Sequence, residues 1–169
     1  MVADLNPKFD ALRNAIYHTS RRRFFELLTR SLSFLVVVSG TAAVANLHAI
    51  EPRIAAAGAA TIGALQLVFD FNGRARTHEI LQRKYYDLIA EIDGIQSPND
   101  EQILKWQAAL NRIYADEPPP MRALDAIAYN AACRNMGYDS SPKRVKFYQL
   151  ALSQLYPFPN TNFSASASI

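Results

Sequence analysis

The residues best equipped for acid–base, nucleophilic or metal chemistry are few and widely separated. His18, His48 and His78 share no metal-ligand spacing with one another or with Cys133, which is the only cysteine. A single cysteine excludes an internal disulfide and a cysteine-based zinc site. Because the chain also lacks a glycine-rich phosphate loop, we predict a protein that is not an enzyme and needs no cofactor.

Adjacent acids at Asp116 and Glu117 are the nearest approach to a paired-carboxylate site. They precede three consecutive prolines, Pro118, Pro119 and Pro120, which predict a stiff, extended connector. We therefore interpret both acids as loop surface or as the start of the following helix.

Three polar residues, Asn46, Gln66 and Asp70, lie within or at the end of long uncharged segments. In lipid, such groups need a partner or water. Lining a pore satisfies them, and so does hydrogen bonding between helices. Both alternatives stay open at this point, and we take the three residues as pore or gate candidates.

The elements that must position these residues begin with a charge-poor segment. Only Glu51 and Arg53 are charged within residues 31–69. As a helix, residues 31–50 extend about 30 Å, which matches the hydrocarbon core of a bilayer. Residues 54–69 extend only about 24 Å, which is short for a span. A buried hairpin in a soluble bundle is the alternative, but a soluble helix of the first segment's length normally shows a polar stripe.

Basic residues flank the two apolar segments and predict their topology. The loop between them holds one arginine, whereas both outer flanks are rich in arginine, so the positive-inside rule places both termini in the cytoplasm. The net charge of +3 is too small to suggest nucleic acid, and we predict no nucleic-acid partner. The predicted groups at the cytoplasmic membrane interface are Arg21, Arg22, Arg23, Arg30, Arg74 and Arg76.

Apolar residues in the flanks recur at helical spacing. An N-cap and proline at Asn6-Pro7 begin a short amphipathic helix, and Gly137 ends the helix predicted over 121–136. Ser97 and Ser141, each followed by proline, predict the starts of two further helices. The predicted inward-facing residues are Leu5, Phe9, Leu12 and Ile16; Leu81, Tyr85, Leu88, Ile92 and Ile95; Ile103, Trp106, Leu110 and Ile113; Leu124, Ile127, Ala128 and Ala131; and Val145, Tyr148, Leu152 and Leu155.

We therefore predict an all-α membrane protein in which a two-transmembrane helical hairpin carries a cytoplasmic helical bundle. Its predicted regions are an N-terminal cytoplasmic amphipathic helix over 1–30, the hairpin over 31–71, a cytoplasmic helical region over 72–156 and a disordered tail over 157–169.

Small residues form two stripes on the second apolar helix. Ala55, Ala59 and Gly63 are spaced by four, and the same spacing links Ala56, Ala60 and Ala64. Small residues at this spacing let membrane helices approach closely. One partner helix within the hairpin cannot cover both stripes, so we predict packing through Ala55, Ala59 and Gly63 and a homo-oligomer.

Several segments together resemble the SLATT family of two-transmembrane effector domains from bacterial conflict systems. The resemblance spans about residues 8–155 and is carried by the run from Tyr17 to Glu26 before the hairpin, by Tyr85-Tyr86-Asp87-Leu88, by the acid–proline connector and by Ala128-Tyr129-Asn130-Ala131. It implies a multi-pass protein of the bacterial inner membrane that forms pores and kills or arrests an infected cell. A nucleotide signal or a separate sensor protein would supply the trigger.

Two functions follow as hypotheses. The first is an oligomeric pore-forming effector of an antiviral, abortive-infection system. The second is a non-conducting membrane anchor or scaffold that recruits a soluble partner to its cytoplasmic helices. Ion flux through liposomes that contain the protein separates them.

Overall fold

The computed structural model describes residues 6–44, 51–138 and 142–163, and these residues confirm the all-α prediction. No β-strand occurs among them. The described chain divides into two compact units: a bundle unit of Met1–Arg21 with His78–Ile169, and a hairpin unit of Arg22–Thr77. The helices are α1 (Pro7–Val44), α2 (Pro52–Phe69), α3 (Phe71–Asp93), α4 (Asp100–Ala115), α5 (Arg122–Met136) and α6 (Phe147–Ala151).

Helix α1 begins where the sequence predicts. Asn6 precedes Pro7, and the Asn6 Oδ1 atom accepts the N–H of Lys8 at 3.0 Å. The helix then continues without interruption to Val44. The predicted boundary at residue 30 therefore falls inside one continuous helix rather than between two elements.

Helix α4 begins later than predicted. Asn99, rather than Ser97, is its N-cap: the Asn99 Oδ1 atom accepts the N–H of Gln102 at 2.8 Å. The Gln102 side chain accepts the N–H of Asn99 in return. This reciprocal pair satisfies two backbone donors at once, which a serine start at Ser97 does not offer here.

The core of the bundle unit confirms the predicted seam of α3 and, on α4, Trp106, Leu110 and Ile113. Ile103, also predicted to face inward, lies in the first turn of α4 and is exposed. Tyr85 and Leu110 are fully buried at its centre. The first turns of α1 add small side chains, Ala11 and Ala15, that let the helices pack closely. Gly137 ends α5 with a φ of 68°, a left-handed conformation that glycine adopts without strain. The buried members of this cluster are Ala11, Ala15, Leu81, Tyr85, Leu88, Trp106, Leu110 and Ile113.

The C-terminal segment differs from the prediction in two ways. Helix α6 covers only Phe147–Ala151, and the residues predicted to face inward, Tyr148, Leu152 and Leu155, are exposed. Within the tail that the sequence predicts to be disordered, Phe158 is buried. The N–H of Arg122 donates to the Pro157 carbonyl, which fastens this stretch to the start of α5.

The hairpin unit contains two helices that are long and apolar enough to cross a membrane. The most apolar stretch of α1 is 0% buried and that of α2 is 6% buried within the chain. Large apolar side chains on these two helices are instead exposed. The exposed ones are Phe34, Leu35, Val37, Val38, Val44, Ile54, Leu65, Leu67, Val68 and Phe69.

Candidate functional site

Gln66 makes the polar contact between the two helices of the hairpin unit. Its side-chain amide donates to the carbonyl oxygen of Thr29 at 3.3 Å and to Ser33 Oγ at 3.1 Å. Both acceptors lie on α1, one turn apart. This arrangement is the interhelical alternative that the sequence left open for Gln66, and such bonds hold membrane helices together.

A cleft of about 350 Å³ opens beside this contact. The hydroxyl of Thr29 is buried there and makes no hydrogen bond to any of the residues that the structure describes. The wall of the cleft therefore combines the hydrogen-bonded amide of Gln66 with the Thr29 hydroxyl, which can still form a hydrogen bond. The lining residues are Thr29, Ser33, Gly63, Gln66, Leu67, Asp70, Phe71 and Asn72.

Asp70 lies at the break between α2 and α3. Its φ of 42° is left-handed, and its N–H donates to the Gln66 carbonyl at the end of α2. Its Oδ1 atom accepts the N–H of Gly73 at 3.0 Å, so the carboxylate caps the start of α3. One of the three pore or gate candidates thus has a structural role as well. Asn46, the third candidate, lies outside the described residues.

The two small-residue stripes have different surroundings within the hairpin unit. Ala55 is buried, and Ala59 and Gly63 are partly buried. Ala56, Ala60 and Ala64 are all exposed. A flat, uncovered stripe of this kind is left available for another helix.

The predicted interface arginines do not form one group. Arg21 is buried in the bundle unit, where its Nη1 donates to the carbonyl oxygen of Gln154 at 2.7 Å. Arg22 pairs with Glu26 one turn later at 3.1 Å. The guanidinium of Arg21 therefore forms a hydrogen bond inside the bundle unit. Exposed members of the set are Arg23, Arg30, Arg74 and Arg76.

A second polar cluster, which the sequence reasoning missed, lies inside the bundle unit. His18 and His78 are buried, and their Nδ1 atoms are 2.8 Å apart. His18 Nε2 lies 3.0 Å from Glu117 Oε1, and the Tyr85 hydroxyl donates to that same oxygen. One carboxylate therefore receives a bond from α1 and a bond from α3.

Electrostatics keeps one member of this cluster neutral. Burial, together with the nearby His18 and Arg21, lowers the pKa of His78 from 6.5 to about 3. Burial and the bond to Glu117 raise the pKa of the Tyr85 phenol. In a contact between two imidazoles, one of the facing Nδ1 atoms donates its N–H and the other accepts.

The cluster has the chemical parts of an acid–base relay, namely two imidazoles, a carboxylate and a phenol. Its members bond chiefly to one another, as a structural network requires. In the described ranges, no group of three or more His, Cys, Asp or Glu side chains is arranged to hold a metal ion.

Glu117 differs from the prediction. The sequence indicated loop surface or the start of the following helix for both acids before the prolines, and Asp116 is indeed exposed, pairing with Lys84 at 2.6 Å. Glu117 instead turns inward.

No protein-family model matches this chain, and comparisons with curated proteins and with solved structures also return no match.

Proposed function

We propose that the hairpin unit crosses the bacterial inner membrane twice, with both termini in the cytoplasm. The carrying observation is the exposure of large apolar side chains on both helices: Val37 is 65% exposed and Leu67 is 84% exposed. Monomeric soluble proteins rarely expose apolar patches larger than a few hundred Å². In a bilayer the same surfaces would face lipid.

The proposal extends to self-association. The exposed stripe of Ala56, Ala60 and Ala64 offers a smooth face to a helix of a neighbouring subunit. The stripe on the other side of α2 is already partly covered within the hairpin unit. One subunit therefore uses one small-residue face internally and presents the second outward.

The function that we propose for the oligomer is a pore-forming effector of a bacterial conflict system. The resemblance to SLATT domains supports the biological role. The polar cleft around Gln66 supports the pore. Once the hydrogen bonds of Gln66 to α1 break, the hydroxyls of Ser33 and Thr29 would be free to bind water. A trigger, either a nucleotide signal or a sensor protein, must bind the open state more tightly than the closed one.

A specific observation favours the anchor as the second candidate. Two polar side chains of the hairpin unit are satisfied within one chain: Gln66 bonds α1, and the Thr61 hydroxyl donates to the carbonyl of Ala57 on its own helix at 2.8 Å. A hairpin that satisfies its own polar atoms needs no water path. Such a protein would hold the bundle unit at the membrane without conducting.

Membrane location is tested by fractionating cells that express the full-length chain. We expect the protein to remain in the pellet after an alkaline carbonate wash and to require detergent for extraction. A protein that stays monodisperse in buffer without detergent would contradict the proposal. Its mass in detergent then measures self-association.

Conduction is tested separately in liposomes loaded with potassium. The pore hypothesis predicts potassium release that changes in Gln66→Leu and Asp70→Ala proteins, and loss of membrane potential in cells when the trigger is present. Cells that keep their membrane potential when the trigger is present, with the protein fully inserted, would support the anchor instead.

A further inference from the structure

In the segment from Lys143 to Tyr156 of the bundle unit, polar side chains are buried and large apolar side chains are exposed. Gln149 and Ser153 are each only 4% exposed, whereas Phe147 is 85% exposed. A segment that packed for its own stability would bury the phenylalanine and expose the glutamine. The large exposed apolar side chains of this segment, here called the C-terminal apolar face, are Phe147, Tyr148, Leu150, Leu152, Leu155 and Tyr156.

Polar contacts hold this segment in place. The Asn130 side chain bonds both backbone groups of Lys143, at 2.7 and 2.8 Å. The Gln149 side chain accepts the N–H of Lys146 at 2.8 Å, and Arg21 donates to the Gln154 carbonyl. The apolar side chains therefore point outward from a fixed backbone, and their exposure is not that of a loose end.

Charge indicates what covers this face. After Asp139 the chain contains no further acid, but it contains Lys143, Arg144 and Lys146. These cations directly precede Phe147 and Tyr148. Basic residues beside exposed aromatic and leucine side chains are typical of protein segments that lie in the headgroup region of a bilayer.

A second copy of the chain fits this face less well. A symmetric contact would bring this cationic cluster from both copies into the same interface, and like charges at an interface oppose association. The cytoplasmic surface of a membrane carries negative charge and attracts such clusters. Lipid thus satisfies both the apolar side chains and the cations.

We propose that the C-terminal apolar face binds the surface of an anionic lipid bilayer. Phe147 and its neighbours enter the boundary between headgroups and acyl chains, and Arg144 and Lys146 bind lipid phosphates. This inference rests on the membrane location proposed above, but it requires neither conduction nor a particular subunit number.

The test uses the full-length protein with Cys133→Ala as background and one new cysteine that carries an environment-sensitive fluorophore. The reporter is Phe147→Cys. Val37→Cys reports on the hairpin unit, and Asn111→Cys, exposed on α4, gives the aqueous baseline. Each protein is placed with phosphatidylcholine vesicles, with and without phosphatidylglycerol, that contain nitroxide-labelled lipids as quenchers.

We expect the fluorophore at position 147 to be quenched several-fold more strongly than at position 111, and more strongly by shallow than by deep nitroxides. Removing phosphatidylglycerol, raising the salt concentration or introducing Arg144→Gln with Lys146→Gln should each reduce this quenching. These substitutions lie on the surface, so folding is checked simply by the unchanged fluorescence of Trp106 in the core.

Each contrary outcome is distinct. Quenching at position 37 without quenching at position 147 would overturn this inference and leave the membrane hairpin standing. A blue-shifted but unquenched fluorophore at position 147 would overturn it in favour of a protein partner or a second copy. Quenching at position 147 without quenching at position 37 would support lipid binding by this face while contradicting the proposed hairpin insertion.

Discussion

The two units differ in the kind of side chain that each places against the usual rule: the bundle unit buries polar side chains, and the membrane candidate helices of the hairpin unit expose apolar ones. The bundle unit buries His18 and His78 and joins them by hydrogen bonds to each other and to the partly buried Glu117, while the hairpin unit leaves large apolar side chains such as Val37 exposed. Stability of the bundle unit therefore depends on satisfying every buried polar atom. Stability of the hairpin unit depends on the medium around it. Similar substitutions should consequently have different effects in the two units.

The largest expected difference follows from adding a charge to an exposed apolar position. Val37→Arg places a cation in the proposed span, where insertion costs about 2.5–3.5 kcal/mol near the centre of a helix. We expect a marked fall in the carbonate-resistant membrane fraction. Leu104→Arg is the matched control, because Leu104 is 70% exposed on α4 of the bundle unit.

The control should change the free energy of unfolding by no more than about 0.5 kcal/mol and leave the membrane fraction unchanged. If Val37→Arg were equally harmless, the contrast between the units would fail, and the hairpin would be an ordinary water-exposed surface.

The second prediction concerns the hydrogen bonds that Glu117 accepts in the bundle unit. Glu117→Ala removes the acceptor of the Tyr85 hydroxyl and of His18 Nε2, which leaves two buried donors without their partner. A loss of about 2 kcal/mol or more in the free energy of unfolding follows. It is measured by denaturant unfolding in detergent, with the fluorescence of Trp106 as the signal.

The neighbouring acid supplies the control. Asp116→Ala breaks an exposed pair with Lys84 and should cost about 0.5 kcal/mol or less. Equal losses for the two variants would show that Glu117 does not organise a buried network.

The pH dependence of the bundle unit gives a third, smaller effect. Between pH 6.5 and about 3 the unfolded chain protonates His78 while the folded chain does not. The free energy of unfolding should therefore fall as the pH drops below about 6.5, by up to about 1.4 kcal/mol per pH unit, and stay level above about pH 7.

His78→Asn keeps a group that can bond His18 Nδ1 but removes the titrating ring. Thermal unfolding followed by Trp106 fluorescence from pH 7.5 to 5 should show a shallower pH slope for this variant. An unchanged slope would assign the titration to another group.

The smallest expected effect concerns the interhelical bond of the hairpin unit. Gln66→Leu removes the bonds to Ser33 and Thr29 and should cost about 0.6 kcal/mol, a typical value for such a bond in a membrane protein. Thr61→Val is the control, since that hydroxyl bonds only its own helix. Unfolding in mixed micelles of increasing denaturing detergent measures both, and a larger loss for Thr61→Val would contradict the assignment.

The parts of this fold that followed from the sequence are those governed by periodicity and caps. The spacing of Leu81, Tyr85 and Leu88 was sufficient to identify the buried face of α3, and Asn6-Pro7 identified the start of α1. The same spacing, extended one turn from Leu81 toward the N-terminus, reaches His78. On α1 the step from Ala11 to Ala15 likewise continues to His18. Both histidines were therefore detectable as core positions.

Their partner was not detectable in the same way. Glu117 lies in a connector without periodicity, and only the tertiary fold brings it to His18 and Tyr85. The C-terminal segment failed for a different reason: its spacing predicted a helix through Leu155, but α6 ends at Ala151, and Tyr148, Leu152 and Leu155 face outward. Periodicity identifies an apolar face and does not say whether protein or lipid covers it.

Asp70 and Gly73 have a consequence for the evolution of this chain. A β-carbon at position 73 would come within 2.0 Å of an Asp70 carboxylate oxygen, so a side chain there would require the carboxylate to change its rotamer. Asn99 caps α4 over Gln102, which has a side chain, so the capping bond itself does not require glycine. Among relatives, alanine at the second position should therefore coexist with an acid or amide at the first.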